Sequence, residues 1–385
     1  MSWHLMACSC NWARDELGAD TIFLSLTDPS CFQETKTMPE STPNAFISPE
    51  YILSVGTGFM AAKTLLSAVE LGVFTSLAAR PGTLADLEAR LGLHPRASRD
   101  FLDALVALGF LERSNGIYEN TPPAARFLDA RSSAYIGTLL EMSNQRLYKY
   151  WDGLTDALRN GQPQNELKTG GATLFSALAA NPERHRQFLS AMTALSRAAN
   201  QAIACKFPWA DYTSFVDVGT AQGDLAAQIA LQHPHLNGIG FDLPPAAPIF
   251  AAHVAKLGIA ERLRFVAGDF FADPLPPADV VVMGHILHDW DLAEKKALIG
   301  KAWQCLPPGG ALIIYEAMID DARESNAQGL LMSLTMLIET RGGFDYTAAD
   351  CASWMVEAGF RQTQKVKLTG SESMVIGIKP GSQSS

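Results

Sequence analysis

The sequence predicts an α/β protein in which a doubly wound, mainly parallel sheet follows an all-helical N-terminal domain. Three observations carry this prediction. Ser214 to Asp242 reads as a strand, a Gly-containing turn, an apolar-periodic helix and a second strand. The same strand–helix alternation then runs on to Ile378. Ahead of it, from Pro49 to Phe127, apolar residues recur at helical spacing.

A chain of 385 residues has room for two domains and ample core. Residues 1–45 mix isolated apolar residues with Asp, Ser, Thr and Pro, and are expected to form a flexible extension, with Met38 as an alternative start. A helical domain is expected over 46–205 and the sheet domain over 206–380. The net charge of −10 argues against broad nucleic-acid binding and favours a neutral or apolar substrate over a polyanion. No run is expected to approach a membrane span, and the start lacks the basic and apolar regions of a signal peptide, so a cytoplasmic protein is expected. Cys8, Cys10, Cys31, Cys205, Cys305 and Cys351 form no C-x-x-C pairs, so reduced thiols are expected rather than a zinc site or disulfides.

In chain order, Phe59, Leu65, Leu66, Val69 and Leu71 mark a first helical face that Gly72 ends. Thr83 is an N-cap with Asp86 in the capping-box position. Arg96 to Leu108 reads as a further helix, stopped by Gly109. Phe110–Arg113 and Ile117–Glu119 flank Asn115-Gly116 as a hairpin, which completes a winged-helix pattern. The candidate recognition helix sets Arg96 and Arg99 against Asp100 and Asp103, without a basic stripe. Packing or dimerisation therefore suits this domain better than DNA binding. Helices follow over Ile136–Asn144, Leu147–Arg159 and Glu183–Ile203, separated by the Gly161 loop and the Gly170-Gly171 pair. Met142, Trp151, Phe188 and Met192 are bulky and adaptable, and at helical spacing such residues are core more often than pocket. Lys206 to Trp209 reads as the hinge into the sheet domain.

In an open α/β sheet, ligands sit beyond the carboxyl ends of the strands. The first strand delivers Asp217 and the turn Gly219 to Gly223 there, and the second delivers Asp242. Leu263–Ala267 leads to Asp269-Phe270, Val280–Met283 to Gly284-His285-Ile286-Leu287-His288-Asp289-Trp290, and Ala311–Tyr315 to Glu316. Gln364–Leu368 and Met374–Ile378 close the sheet as an antiparallel pair. Asp242 suits two ribose hydroxyls, because an ionised carboxylate accepts from both. The G-x-G-x-x-G fingerprint is absent, and Asp217 would repel a pyrophosphate. An acid there suits the amino and sulfonium groups of S-adenosylmethionine better than NAD. Asp269 and Phe270 suit an adenine's amine and face, with Trp290 available for the second face. His288 is the natural general base and Glu316 a plausible orienting partner. His285 competes for the base role, and both histidines with Asp289 offer a metal set, although no resident metal is expected.

These motifs together, DVGTAQGDLA, GFDLP, GDFF, HILHDW, ALIIYE and MLIET before Gly342-Gly343, stand behind a winged-helix pattern. They resemble the S-adenosylmethionine-dependent O-methyltransferases, the group of caffeate-type, acetylserotonin and bacterial natural-product enzymes. The resemblance covers about residues 50–380 and implies a Rossmann-like methyltransferase domain behind a winged-helix dimerisation domain, in a homodimer acting on a small aromatic or enolic hydroxyl. It assigns Gly219 and its turn, with Asp217 and Gly223, to the methionine part, Asp242 to the ribose, and Asp269 with Phe270 to the adenine. It makes His288 the base, Glu316 the first flanking acid and Asp345 the second. It places Phe188, Met192 and Met336 in the acceptor pocket, where Met142 is also expected. Three departures stand out: Thr220-Ala221 where the family has more glycine, Gly284 where many plant members carry Lys, and Asp345 for the more usual Glu.

Overall fold

The computed structural model describes residues 48–170 and 181–381. The extension expected over 1–45 and Gly171 of the glycine pair lie outside the described residues. The first helices span Pro49–Gly56, Gly58–Glu70, Val73–Ala79, Leu84–Leu91 and Ser98–Ala107. Thr83 and Asp86 form the reciprocal capping box that the sequence implies, which satisfies two otherwise orphaned helix donors. Phe74, Leu87, Leu102, Leu105 and Tyr118 make the core of this domain.

Strands β2 (Leu111–Ser114) and β3 (Ile117–Asn120) form the wing. Both turn residues are left-handed, Asn115 at φ 50° and Gly116 at φ 78°, matching the twist of a tight hairpin. A further strand, β1 (Gly82–Thr83), pairs with β3, so the helical domain carries a small sheet of its own. The Tyr118 hydroxyl donates to Asp103 at 2.7 Å, tying the wing to the candidate recognition helix.

One expectation fails here. Pro49–Glu70 is 22 residues long with mean hydropathy 1.5, long and apolar enough to cross a membrane by length and composition. The segment is apolar along its whole length, but only its C-terminal part packs into the domain. Leu66, Ala68 and Val69 are buried in the domain core, whereas Tyr51, Ile52, Leu53, Val55, Phe59 and Met60 are 55–64% exposed.

The second sheet has the order β6-β5-β4-β7-β8-β10-β9. Its strands are β4 (Ser214–Val218), β5 (Asn237–Asp242), β6 (Leu263–Ala267), β7 (Val280–Gly284), β8 (Ala311–Glu316), β9 (Arg361–Lys367) and β10 (Ser373–Ile378). The pairs among β4 to β8 are parallel, and β10 runs antiparallel to both β8 and β9. Strands β4, β7 and β8 are buried on both faces between two apolar layers, as near-continuous apolar runs require. The chain order reverses at β4, which opens the crevice between β4 and β7 where ligands bind in this architecture.

Between the helical domain and the sheet, the expected helices over 136–159 are broken. Gly137–Met142 runs into a π-helical turn, Ser143–Leu147, before Leu154–Asn160. The wider turn re-aims Asn144 and Arg146, which are 5% and 8% exposed, so that both polar side chains point inward to partners. Asn144 joins Lys63 and Glu70, and Arg146 joins Glu166 and Glu339. Amphipathic periodicity does not register a single wide turn.

Candidate active site

A cavity of about 680 Å³ lies at the carboxyl ends of the parallel strands. Its floor includes Gly219, Asp242, Asp269, Phe270 and His288. The helices Gly137–Met142, Pro182–Lys206 and Ala327–Glu339 wall it, contributing Met142, Phe188, Met192, Met332 and Met336. All four residues expected in the acceptor pocket therefore reach one cavity. Met332, one helical turn before Met336, was missed although the same spacing would have found it.

The turn after β4 shows how this chain does without extra glycines. Gly219 takes φ 71°, and a Cβ there would lie 2.2 Å from Ile286 Cδ1, so a bare backbone is required. Ala221 adopts φ 53° in spite of its Cβ, and its N–H donates to Asp242 Oδ2 at 2.8 Å. Thr220 Oγ1 donates to Asp217 Oδ2 at 2.7 Å. Burial raises the Asp217 pKa to about 7, with the Thr220 bond opposing it and the Asp242 charge adding to it. Burial likewise raises the Asp242 pKa, against hydrogen bonds from the Ala221 and Leu243 N–H groups. Gly223 does not line the cavity. It begins the helix Asp224–Gln232 at φ 84°, where a Cβ would strike the Phe250 ring at 2.6 Å, so its part is conformational.

A second correction concerns Trp290. Its ring meets Phe270 edge-on, at 5.8 Å between centroids and 84° between planes, and meets Phe271 at 4.6 Å. Contacting, perpendicular rings leave no slot for an adenine between them, so Trp290 borders the cavity without forming a sandwich. Its buried Nε1 has no hydrogen-bond partner among the described residues. Asp224, 3% exposed on the cavity wall, was not anticipated; Asn200 Nδ2 donates to its Oδ2 at 2.9 Å, and its Oδ1 lies 3.1 Å from the Arg197 guanidinium. Only its position directly after Gly223, at a helix N-terminus, signalled it. Bare backbone at Gly219, carboxylates at Asp217, Asp242 and Asp269, and a ring at Phe270 fit a cationic adenosine-type group.

His288 sits on the short turn Leu287–Asp289 after β7 and is 6% exposed. Its Nδ1 lies 3.2 Å from Asp345 Oδ1 and 3.5 Å from Glu316 Oε2. Both acids are buried behind the ring, Glu316 at 1% and Asp345 at 2% exposure, and neither lines the cavity. Glu316 Oε1 is fixed by the Tyr346 hydroxyl at 3.3 Å. Burial works against a charged imidazole here, but Glu316, Asp345 and Asp289 outweigh it and raise the His288 pKa to about 10. Burial, opposed by the His288 charge, raises the Glu316 pKa to about 8. The shorter Asp345 thus still reaches the ring. Gly284 has its reason too, since a Cβ would lie 1.9 Å from the Tyr315 ring.

His285 takes a left-handed φ of 53° and lines the cavity. Burial and the His288 charge lower its pKa to about 3, so it is neutral at ordinary pH and unsuited to holding a substrate proton. Among the described residues, the donor atoms that cluster within 4.8 Å belong to His285, His288 and Glu316, not to the His285–His288–Asp289 set. Asp345 hydrogen-bonds the same His288 nitrogen that faces Glu316, which favours proton chemistry there over cation binding.

An O-methyltransferase domain profile matches residues 151–361, and an O-methyltransferase dimerisation domain profile matches residues 53–130. The chain is 44% identical over 341 residues to the tetracenomycin polyketide synthesis 8-O-methyl transferase TcmO of Streptomyces glaucescens, covering 88% of this chain and 99% of that one. It is 36% identical over 332 residues to the N,N-dimethyltransferase OxyT of Streptomyces rimosus, covering 86% and 96%. Its fold is similar to the crystal structure of human N-acetylserotonin methyltransferase in complex with S-adenosylmethionine, with TM-score 0.79, 27% identity and coverage of 88% and 99%. Profile, relatives and cavity agree: the chain belongs to the S-adenosylmethionine-dependent O-methyltransferase family.

Proposed function

We propose that this enzyme methylates a hydroxyl of an aromatic, polyketide-type metabolite, with His288 as the general base. The observation that carries the reading is the His288 ring, whose Nδ1 faces Asp345 and Glu316 at the edge of a Met-lined cavity. When bound, S-adenosylmethionine supplies an electrophilic methyl group. Asp217 receives the cationic amino end, Asp242 accepts from the ribose hydroxyls, and Asp269 with Phe270 borders the adenine. Met142, Phe188, Met192 and Met336 exclude water and hold a flat acceptor by apolar contact. Asp345 and Glu316 fix the ring and stabilise the imidazolium, leaving Nε2 to take the hydroxyl proton as the oxygen becomes nucleophilic. Most of the rate advantage comes from holding the reacting groups close and aligned.

TcmO's name points to a polyketide hydroxyl, whereas OxyT acts on nitrogen. A strong buried base favours oxygen, because a hydroxyl must lose its proton to attack and a neutral amine already carries a free pair. Residues 46–205 supply the dimer surface and one cavity wall, and residues 206–380 the cofactor site. The apolar face of Tyr51, Ile52, Leu53, Val55, Phe59 and Met60 is then covered by a second copy rather than by lipid. The test is transfer of labelled methyl to hydroxylated naphthoates and tricyclic polyketide phenols in the presence of EDTA. An O-methyl product is expected; labelled amine products alone, or loss of activity on chelation, would overturn the reading.

A further inference from the structure

Methyl transfer to a hydroxyl releases one proton, and a base that sits 6% exposed beneath a filled cavity must pass it on before the next turnover. The structure places a file of proton-carrying groups, spaced 3.5–3.7 Å apart, behind His288. Glu316 Oε2 lies 3.5 Å from His288 Nδ1 and also 3.5 Å from His285 Nδ1. On the far side of the same ring, His285 Nε2 lies 3.7 Å from Glu372 Oε2. Glu316 Oε2, His285 Nε2 and Glu372 Oε2 are all buried atoms without a hydrogen-bond partner among the described residues, with the His285 ring between the two carboxylates. A shift of less than about 1 Å brings each gap to hydrogen-bond length.

The sheet builds this file. Ser373 of β10 pairs with Glu316 of β8, so the residue before it, Glu372, arrives beside the end of β8. His285 follows β7, where its N–H donates to the Tyr315 carbonyl at 3.2 Å and its ring packs edge-on against Tyr315. That left-handed residue holds one imidazole between two carboxylates. Glu372 itself lies beside the exposed turn at Gly370, and both buried His288 and exposed Lys367 act on its charge. Its pKa is raised to about 7, by burial first, which suits release to water near neutral pH.

We propose that the proton taken by His288 leaves the site through Glu316, His285 and Glu372 to solvent at the β9–β10 turn. This rests on His288 being the base. His288 gains the acceptor's proton at Nε2 and gives its Nδ1 proton to Glu316 Oε2. Glu316 passes a proton to His285 Nδ1 as His285 gives its Nε2 proton to Glu372 Oε2, so His285 never carries net charge. Glu372 then yields the proton to water and both carboxylates return to their starting state, while His288 and His285 are left in the opposite tautomers, which proton exchange with water resets once the product leaves the cavity that both rings line. His285 and Glu372 are thus relay residues that act through the base.

The test needs no acceptor. With histidines labelled by 15N and the cavity filled by S-adenosylhomocysteine, solvent exchange of the His288 Nδ1 proton is measured by NMR at neutral pH. Glu372→Gln is expected to slow this exchange at least tenfold, with melting temperature and S-adenosylhomocysteine affinity unchanged, and Glu372→Asp to restore most of it. His285→Gln carries the same expectation should the Glu372 variant fold poorly. Exchange that is equally fast in the wild type and both variants would overturn the relay. Full methyl transfer by His288→Ala would overturn the base assignment instead, so the two failures are separable.

Discussion

His288 Nδ1 lies 3.2 Å from Asp345 Oδ1, and the two residues reach each other from turns 57 positions apart. The carboxylate is an acceptor, so this contact favours a proton on Nδ1, and in the proposed mechanism it leaves Nε2 for the acceptor hydroxyl.

His288→Ala removes the proton acceptor without touching the adenosine subsite. We expect kcat to fall by roughly 10²–10⁴-fold, the usual worth of a positioned base. The dissociation constant for S-adenosylmethionine, measured by calorimetry, should stay within about threefold.

Asp345→Asn removes one of the charges that raise the His288 pKa to about 10. A base is active when neutral, so the rising limb of kcat/KM against pH marks that pKa. Losing the carboxylate lowers the pKa and should move the limb to lower pH. The plateau should also fall, because a weaker base abstracts the proton less readily. An unmoved limb would mean that Asp345 only positions the ring.

Asp217, with a pKa raised to about 7 by burial, is neutral below that pH and charged above it. If Asp217 receives the amino end of S-adenosylmethionine as proposed, affinity for the cofactor rises as pH increases through 7. In Asp217→Asn this pH dependence should vanish and binding at pH 8 should weaken by about tenfold, worth about 1.4 kcal/mol. Titrations at pH 6 and pH 8 decide the matter.

Arg146 is clamped between Glu339 and Glu166, with the Glu166 bonds at 3.0 and 2.8 Å. Its hydrogen bonds lower the Glu166 pKa to about 2, while burial raises that of Glu339 in spite of the guanidinium. Arg146→Met would leave both acids facing each other without a cation, a loss of about 3–5 kcal/mol for a buried pair. Glu166 is 29% exposed, which places the loss at the lower end. A lower melting temperature is expected, with part of it regained in Arg146→Met/Glu339→Gln.

The sheet, the winged helix and most of the strand-end residues that border the cavity were legible in the sequence. Strand ends are legible because alternation and apolar runs mark where each strand stops; Asp217, Asp242 and Glu316 lie in the last residues of their strands, and Asp269 and His288 shortly after theirs. The cavity-facing Met142, Phe188, Met192 and Met336 were placed by the resemblance, since periodicity cannot tell core from pocket. Tertiary structure decided the rest. Whether Trp290 could sandwich a ring depended on an angle to Phe270, and whether Gly223 met ligand depended on the neighbouring Phe250. The wide turn at Ser143–Leu147, the exposed apolar face of Pro49–Glu70 and the approach of Glu372 to His285 depend on what other segments bring alongside. The strength of His288 as a base belongs to this second class. Its pKa is set by burial and by carboxylates from distant turns, and local sequence carries neither.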